Sequence, residues 1–205
     1  MPGPLYVVRH AESLLGARNV VNGDPAVYNP LTERGRAQAE EVGRTLADVP
    51  FEICFTTEFP RTKETAELIV AGRNLSVAVL ADLNDPRQGD YEGKAFDLYA
   101  KWMDDTGMDD PVPGGGESQR DCVTRYARGW RTVAEAKDPV LVVAHAFPIS
   151  VALTLHEDGP PMLRRNYERD PSFAEVNVLE SERLLKGLDA LDEELAAAGK
   201  ASERE

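Results

Sequence analysis

The chain has 205 residues, 42% of them hydrophobic and 29% charged, with 23 Lys and Arg against 36 Asp and Glu for a formal net charge of -13. This balance excludes wholesale disorder, and the acidic surplus argues against binding to nucleic acid or to an anionic membrane, both of which need a basic footprint. The length suits one domain over 1–205 with a sizeable core of its own.

The first element is the run Leu5, Tyr6, Val7, Val8, which stops abruptly at Arg9, His10, Ala11, Glu12 and Ser13. Four apolar residues, two of them β-branched, read as a strand covered on both faces. Arg9 and His10 cannot stay unpaired in such a core, so they emerge at the strand's carboxyl end, where open α/β sheets place their ligand crevices. From 14 to 29 no periodicity shows. Gly16, Gly23, Asp24, Pro25 and Asn29 are turn formers, and the stretch reads as an irregular loop of the kind that carries function. Thr32 then opens a helix with Glu33 in its first turn and a packing stripe of Leu31, Ala39, Val42 and Leu46.

A second strand is expected over 51–55, followed directly by a helix over 61–71. Arg61 stands in that helix's first turn, where a cation opposes the helix dipole. The placement makes sense if an anion sits beside it. A third strand covers 76–80, and strands alternating with helices point to a three-layer α/β/α sandwich with a mostly parallel central sheet. The loop 83–93 crowds Asp85, Arg87, Asp90 and Glu92 between Pro86 and two glycines, which by composition alone is a solvated turn. Residues 94–105 read as a helix whose Phe96, Leu98, Tyr99, Trp102 and Met103 suit a core. The Gly- and Pro-rich loop 107–116 after it has the makings of a lid. Gly115, Gly116, Glu117 and Ser118 start a long helix running to about 137, with Val123, Tyr126, Ala127, Trp130 and Val133 at helical spacing.

The run 139–146 repeats the N-terminal design, with Val140, Leu141, Val142, Val143 and Ala144 leading into His145 and Ala146. Two buried strands that each end in histidine bring two imidazoles to one crevice. A helix start after His145 suits an anion, but Pro148 has no N–H to offer, which leaves Ala146 and Phe147 as backbone donors. His156, further along, reads as a solvated surface residue. The stretches 173–179 and 184–188 read as closing strands, a hairpin at the sheet edge. Leu188, Leu191 and Leu195 then make one stripe of a terminal helix from about 189, before a frayed tail to 205.

Cys54 and Cys122 have no partners at metal-site spacing and read as two buried free thiols, consistent with a reducing compartment. The first apolar run is broken by Arg9, and the longest, 140–155, contains His145 and Pro148. No secretory signal or membrane span is therefore read, and a cytoplasmic location is expected. With three histidines in the chain, a dedicated metal site is not expected. A free sheet edge or the terminal helix offers a surface through which two copies can pair as a homodimer.

Several motifs occur in order: R-H-A-E-S from Arg9, P-L-T-E-R-G-R-A-Q-A from Pro30, R-T-K-E-T-A from Arg61, L-N-D-P-R-Q-G-D-Y-E-G from Leu83, G-G-E-S from Gly115 and V-V-A-H-A from Val142. Together they resemble the histidine phosphatase superfamily, the phosphoglycerate-mutase-like proteins of the branch 1 type, over nearly the whole chain. The resemblance implies a phosphomonoesterase that needs no metal or cofactor and acts on a small-molecule phosphorylated substrate. His10 is then the phosphate-accepting nucleophile, with Arg9, Arg61, His145 and the backbone at Ala146 and Phe147 holding the phosphate. Asp85 takes the position of the family's usual glutamate proton donor. It is one methylene shorter, and proton transfer requires reach, so Glu92 and Asp82 stay open as alternatives. The family's asparagine after the R-H pair falls by count on Gly16, leaving Asn19 or Asn22 to substitute.

Phosphoryl transfer asks mainly for positioning and electrostatic stabilisation. Arg9 and Arg61 offer planar forks of donors, and histidine is nucleophilic near neutral pH. A mutase-type phosphotransferase would need extra basic residues, whereas 94–118 carries Asp104, Asp105, Asp109 and Asp110. A non-catalytic phosphate-binding scaffold is the remaining alternative. Phe147, Tyr91 and 96–113 point to an organic phosphomonoester of modest charge.

Overall fold

Five strands form one sheet in the computed structural model, which describes residues 3–136, 139–157 and 170–202. They are β1 (Pro4–Arg9), β2 (Ile53–Thr56), β3 (Ser76–Val79), β4 (Val140–Ala144) and β5 (Val176–Glu180), in the spatial order β3-β2-β4-β1-β5. Neighbours are parallel except for β5, which runs antiparallel to β1 at one edge. Six helices accompany them: α1 (Glu33–Thr45), α2 (Pro60–Ile69), α3 (Phe96–Asp105), α4 (Gln119–Ala134), α5 (Ala146–Glu157) and α6 (Ser181–Ser202).

Side chains alternate across a strand, and here each parity meets its own layer of helices. Leu5, Val7, Val140 and Val142 pack with α4, α5 and α6 on one face. Val8, Leu141, Val143 and Cys54 pack with α1 and α2 on the other. The expected α/β/α arrangement with a mostly parallel sheet is the observed one. Central β4 is buried along its whole length, which is why its sequence is a continuous apolar run rather than an alternation. Trp130 is fully buried and donates its indole N–H to Pro148 O at 2.8 Å, tying α4 to α5. Cys54 and Cys122 are both free and buried, and burial pushes the Cys54 thiol up to about 12. No helix among the described residues is long and apolar enough to cross a membrane.

The C-terminal expectation is corrected. There is no closing hairpin: a single edge strand, β5, passes directly into α6 at Ser181, and 184–188 is helical. Leu184, Leu188 and Leu191 are fully buried at a helical spacing against the first face. Gly187 lies inside this helix, where a glycine usually weakens it. Here a Cβ at that position would sit 2.3 Å from Leu155 O, so the glycine permits close approach of α6 to α5. His156 is not simply solvated either. Its Nε2 accepts the Glu180 N–H at 3.0 Å, joining the end of α5 to the end of β5. The helix begun at Ser118 ends at Ala134, and Lys137 lies outside the described residues.

Candidate active site

The sheet register assembles the site. Arg9 pairs with Ala144, so the next residues, His10 and His145, leave adjacent parallel strands side by side. The His10 N–H donates to Ala144 O at 2.8 Å, and the two imidazole centroids are 5.4 Å apart. β2 ends beside β4 with Thr56 paired to Val143. Four residues later α2 begins and delivers Arg61, which is only 3% exposed.

Arg61 is the hub. Its Nε donates to His10 Nε2 at 3.1 Å, Nη1 to Asn22 Oδ1 at 2.7 Å, and Nη2 reaches Asp85 Oδ2 at 2.7 Å, His145 Nδ1 at 3.1 Å and Asn22 O at 3.1 Å. A guanidinium can only donate, so both ring nitrogens that face it present lone pairs. The rest of each imidazole agrees. His10 Nδ1–H donates to Ala11 O at 2.8 Å. His145 Nε2–H donates to Thr57 Oγ1 at 2.9 Å, Thr57 donates to Thr62 Oγ1 at 2.7 Å, and Thr62 ends the chain on Phe59 O at 2.9 Å. Burial, then the neighbouring Arg61 charge, hold both histidines well below their usual value of 6.5. His10 is therefore neutral near pH 7 with its Nε2 lone pair in the site. His145 can donate there only after taking a proton at Nδ1, which an arriving dianion favours.

The geometry decides among the three carboxylates for proximity. Asp85 sits on Arg61 and 3.4 Å from His145 Nδ1. Glu92 is spent clamping the backbone N–H groups of Gly23 and Gln88, and Asp82 pairs with Arg128 on the outside. The Asp85 side chain is 24% exposed at the cavity, yet dense protein surrounds it. Burial raises its pKa, against the opposing pull of Arg61 and Arg9. Asn22, not Asn19, is the asparagine that meets the site's hub. It holds Arg61 and accepts from Asn29 Nδ2 at 3.0 Å, while Asn19 donates to Asp97.

Arg9 donates to Asp170 Oδ1 at 3.0 Å and Pro171 O at 2.6 Å, with its guanidinium 4.4 Å over the Phe173 ring. Its Nε is buried without a partner among the described residues, a donor that an anion can satisfy. Ala146 and Phe147 line the cavity at the first turn of α5, where N–H groups lack intrahelical acceptors.

Sequence reasoning missed Thr57, Thr62 and Phe173. The last, assigned to a strand, has its ring centroid 5.6 Å from that of His10, the two planes tilted by 48°. A Cβ at Gly16 would meet its Cζ at 3.0 Å, so the glycine makes room for that ring. The loop 107–116 is no lid: it buttresses the Asp85 loop through Asp90 N–H to Pro113 O at 2.7 Å, and none of its residues line the cavity. Of α4 only Gln119 does. The wall comes instead from 19–22, from Phe96, Tyr99 and Met103 on α3, which were expected in a core, and from Asp104 beside them. Tyr91 packs with Tyr99 and Trp102 behind that wall.

A mostly parallel sheet flanked by helices on both faces, with two imidazoles at the carboxyl ends of adjacent strands and Arg9 and the buried Arg61 around them, defines the phosphoglycerate-mutase-like class of α/β proteins. The chain belongs to the histidine phosphatase superfamily (branch 1), whose family model matches residues 5–190. It is 33% identical over 162 residues, 73% of each chain, to 2,3-bisphosphoglycerate-dependent phosphoglycerate mutase 2 of Gloeobacter violaceus. It is 28% identical to the adenosylcobalamin/alpha-ribazole phosphatase of Salmonella typhimurium, covering 73% of this chain and 77% of that one. Among solved structures, YhfR of Bacillus stearothermophilus is similar at a TM-score of 0.75 and 25% identity, covering 87% of this chain and 91% of that chain.

Proposed function

We propose that the protein is a metal-independent phosphomonoesterase that works through a phosphohistidine at His10. The observation that carries the proposal is the Arg61 guanidinium bonded at once to the lone pair of His10, to the lone pair of His145 and to the Asp85 carboxyl. One cation thus joins a neutral nucleophile, a phosphate ligand and an acid of raised pKa. Substrate phosphate takes the donors of Arg9, Arg61 and the Ala146 and Phe147 turn. His10 Nε2 attacks phosphorus, the P–O ester bond breaks, and Asp85 gives its proton to the departing alkoxide. The resulting carboxylate then takes a proton from water as the water oxygen attacks phosphorus. The N–P bond breaks, and inorganic phosphate leaves with His10 restored.

The mutase reading has a 33% identical relative behind it. Against it stands the sequence of 94–118, which carries Asp104, Asp105, Asp109 and Asp110 where a mutase would need extra basic residues. The test is hydrolysis of p-nitrophenyl phosphate with a chelator present. Turnover is expected for the parent protein and none for His10→Ala. With p-nitrophenyl phosphate, whose leaving group needs no proton, Asp85→Asn should retain the first step and accumulate an acid-labile phosphoenzyme, detectable when the phosphoryl group of that ester is radiolabelled. Full activity in His10→Ala would overturn the proposal.

A further inference from the structure

The ring of Phe173 touches two members of the site at once. Arg9 places its guanidinium 4.4 Å over the ring's centre, a cation–π distance. The His10 imidazole lies 5.6 Å away between centroids, tilted by 48°, within the range of aromatic pairs. Phe173 also lines the cavity. Gly16 leaves the ring its room, since a Cβ there would stand 3.0 Å from Phe173 Cζ.

The backbone is strained where it presents that ring. Ala174 has a φ of 58°, a left-handed conformation that suits glycine and that alanine adopts at a cost. The turn is closed by Glu175 N–H donating to Ser172 O at 3.1 Å and by Ser172 N–H donating to Glu175 Oε2 at 2.7 Å. Ala174 N–H then ties it to Arg9 O at 3.1 Å. The turn is thus fastened to the last residue of β1, one place before His10.

What such a ring is for follows from how His10 is held. Its Nδ1–H donates to Ala11 O at 2.8 Å, and its Nε2 accepts from Arg61 Nε at 3.1 Å. Hydrogen bonds at imidazole nitrogens run near the ring plane, so they fix the tautomer but leave the ring free to rock about the line that joins the two atoms. When Nε2 attacks phosphorus it gives up Arg61, and of the two bonds only the one to Ala11 remains. Resting on the phosphohistidine reading, we infer that Phe173 is a positioning residue for phosphoryl transfer: its ring keeps the His10 imidazole at the angle that points Nε2 in line with the breaking P–O bond. Arg9 steadies the ring in turn. It depends on the ring less than His10 does, because Asp170 Oδ1 and Pro171 O accept from it at 3.0 Å and 2.6 Å. Loss of the ring therefore frees the nucleophile and leaves the phosphate's cations in place.

The test uses Phe173→Leu, which stays apolar but has no ring face and no Cζ, and Gly16→Ala, which keeps the ring but crowds it aside. Rates are taken per phosphate-binding site, counted by calorimetric titration with inorganic phosphate, so that unfolded protein does not enter. Phe173→Leu is expected to lower kcat/KM about tenfold on p-nitrophenyl phosphate and on glycerol 3-phosphate alike, with the Kd of inorganic phosphate changed by less than about threefold. Gly16→Ala is expected to cause a similar loss alone, and less than about threefold further loss in the Phe173→Leu background. That second comparison separates the ring from Ser13 Oγ, which the new Cβ would also meet at 3.0 Å. Unchanged kcat/KM in Phe173→Leu, or phosphate affinity that falls in step with it, would overturn the inference. A loss on one ester only would do the same, because the ring would then be touching the leaving group. So would full additivity of the two substitutions, since crowding the ring would do harm that removing it does not account for. In each of these cases the parent protein still turns over. A parent inactive on both esters would remove the phosphatase reading and the inference with it.

Discussion

His145 owes its orientation to two threonines that no motif search singles out. The relay from Nε2–H through Thr57 and Thr62 to Phe59 O points the Nδ1 lone pair at Arg61 and leaves that atom free to bind an incoming proton. Thr57→Val keeps the shape but strands a buried ring N–H, which costs about 1–3 kcal/mol and releases the tautomer. Phosphate affinity, read as the inhibition constant of vanadate, should weaken about tenfold, while Thr57→Ser should restore it. The two buried imidazoles also make an acid-sensitive fold. Unfolded, they titrate near 6.5, and folded only well below it. Their neutral forms therefore favour folding above that value, and the contribution is lost as pH falls through 6.5 toward the lowered values. The urea midpoint should drop between pH 7.5 and 5, and His10→Gln, which removes one of the two groups, should flatten the fall. An unchanged slope would show that other groups dominate. What the sequence made legible at this scale were residues at ends of regular elements: His10, His145 and Arg61 stand out because a charge or imidazole interrupts an apolar run. Thr57 and Phe173 were hidden because a threonine after a strand and a phenylalanine near one are both ordinary, and only the fold says what they touch.

At the level of elements, the strands β1 and β4 were readable because burial on both faces writes an unbroken apolar run. The beginning of α6 was not readable, since a short apolar run such as 184–188 suits a strand or a buried helix equally well. The loop holding Asp85 looked like a solvated turn, and it is nothing of the kind. Arg125 donates Nη1 to Asp82 O at 2.9 Å and Asn84 O at 3.0 Å, while Glu117, bonded twice to Arg125 at 3.0 Å, accepts the Arg87 N–H at 2.9 Å. The pair thus grips the backbone on both sides of Asp85. Its members are 16% and 8% exposed, so breaking it is expected to cost about 3–5 kcal/mol of stability. It also sets where the acid stands. Glu117→Gln, which keeps the shape and one acceptor, should reduce kcat/KM for glycerol 3-phosphate by about a hundredfold, the scale of general acid catalysis. With p-nitrophenyl phosphate, whose leaving group needs no proton, kcat/KM should change by less than about threefold. Equal losses on both esters would mean that the pair holds up the fold and does nothing particular for Asp85.

The whole molecule sets a problem that its site must solve. A chain of net charge -13 repels every phosphate ester at long range, and the cations that reverse the sign lie at the bottom of a cavity with carboxylates at Asp104 and Asp170 on its lining. The two fields differ in reach. Arg61 acts on its partners across about 3 Å, inside any ionic atmosphere, whereas the global repulsion acts over distances that salt screens, the Debye length being about 30 Å at 0.01 M and about 8 Å at 0.15 M. Added salt should therefore remove the repulsion and leave the capture. We expect kcat/KM for p-nitrophenyl phosphate to rise about twofold to threefold between those ionic strengths, with kcat unaffected. The salt must be one whose anion does not compete for the phosphate corner, which excludes sulfate and phosphate. A dianionic ester should respond more steeply than a monoanionic one, because the repulsive work scales with its charge. If kcat/KM falls with salt instead, the local arginines govern capture from a distance, and the acidic surface counts for nothing in how the substrate arrives.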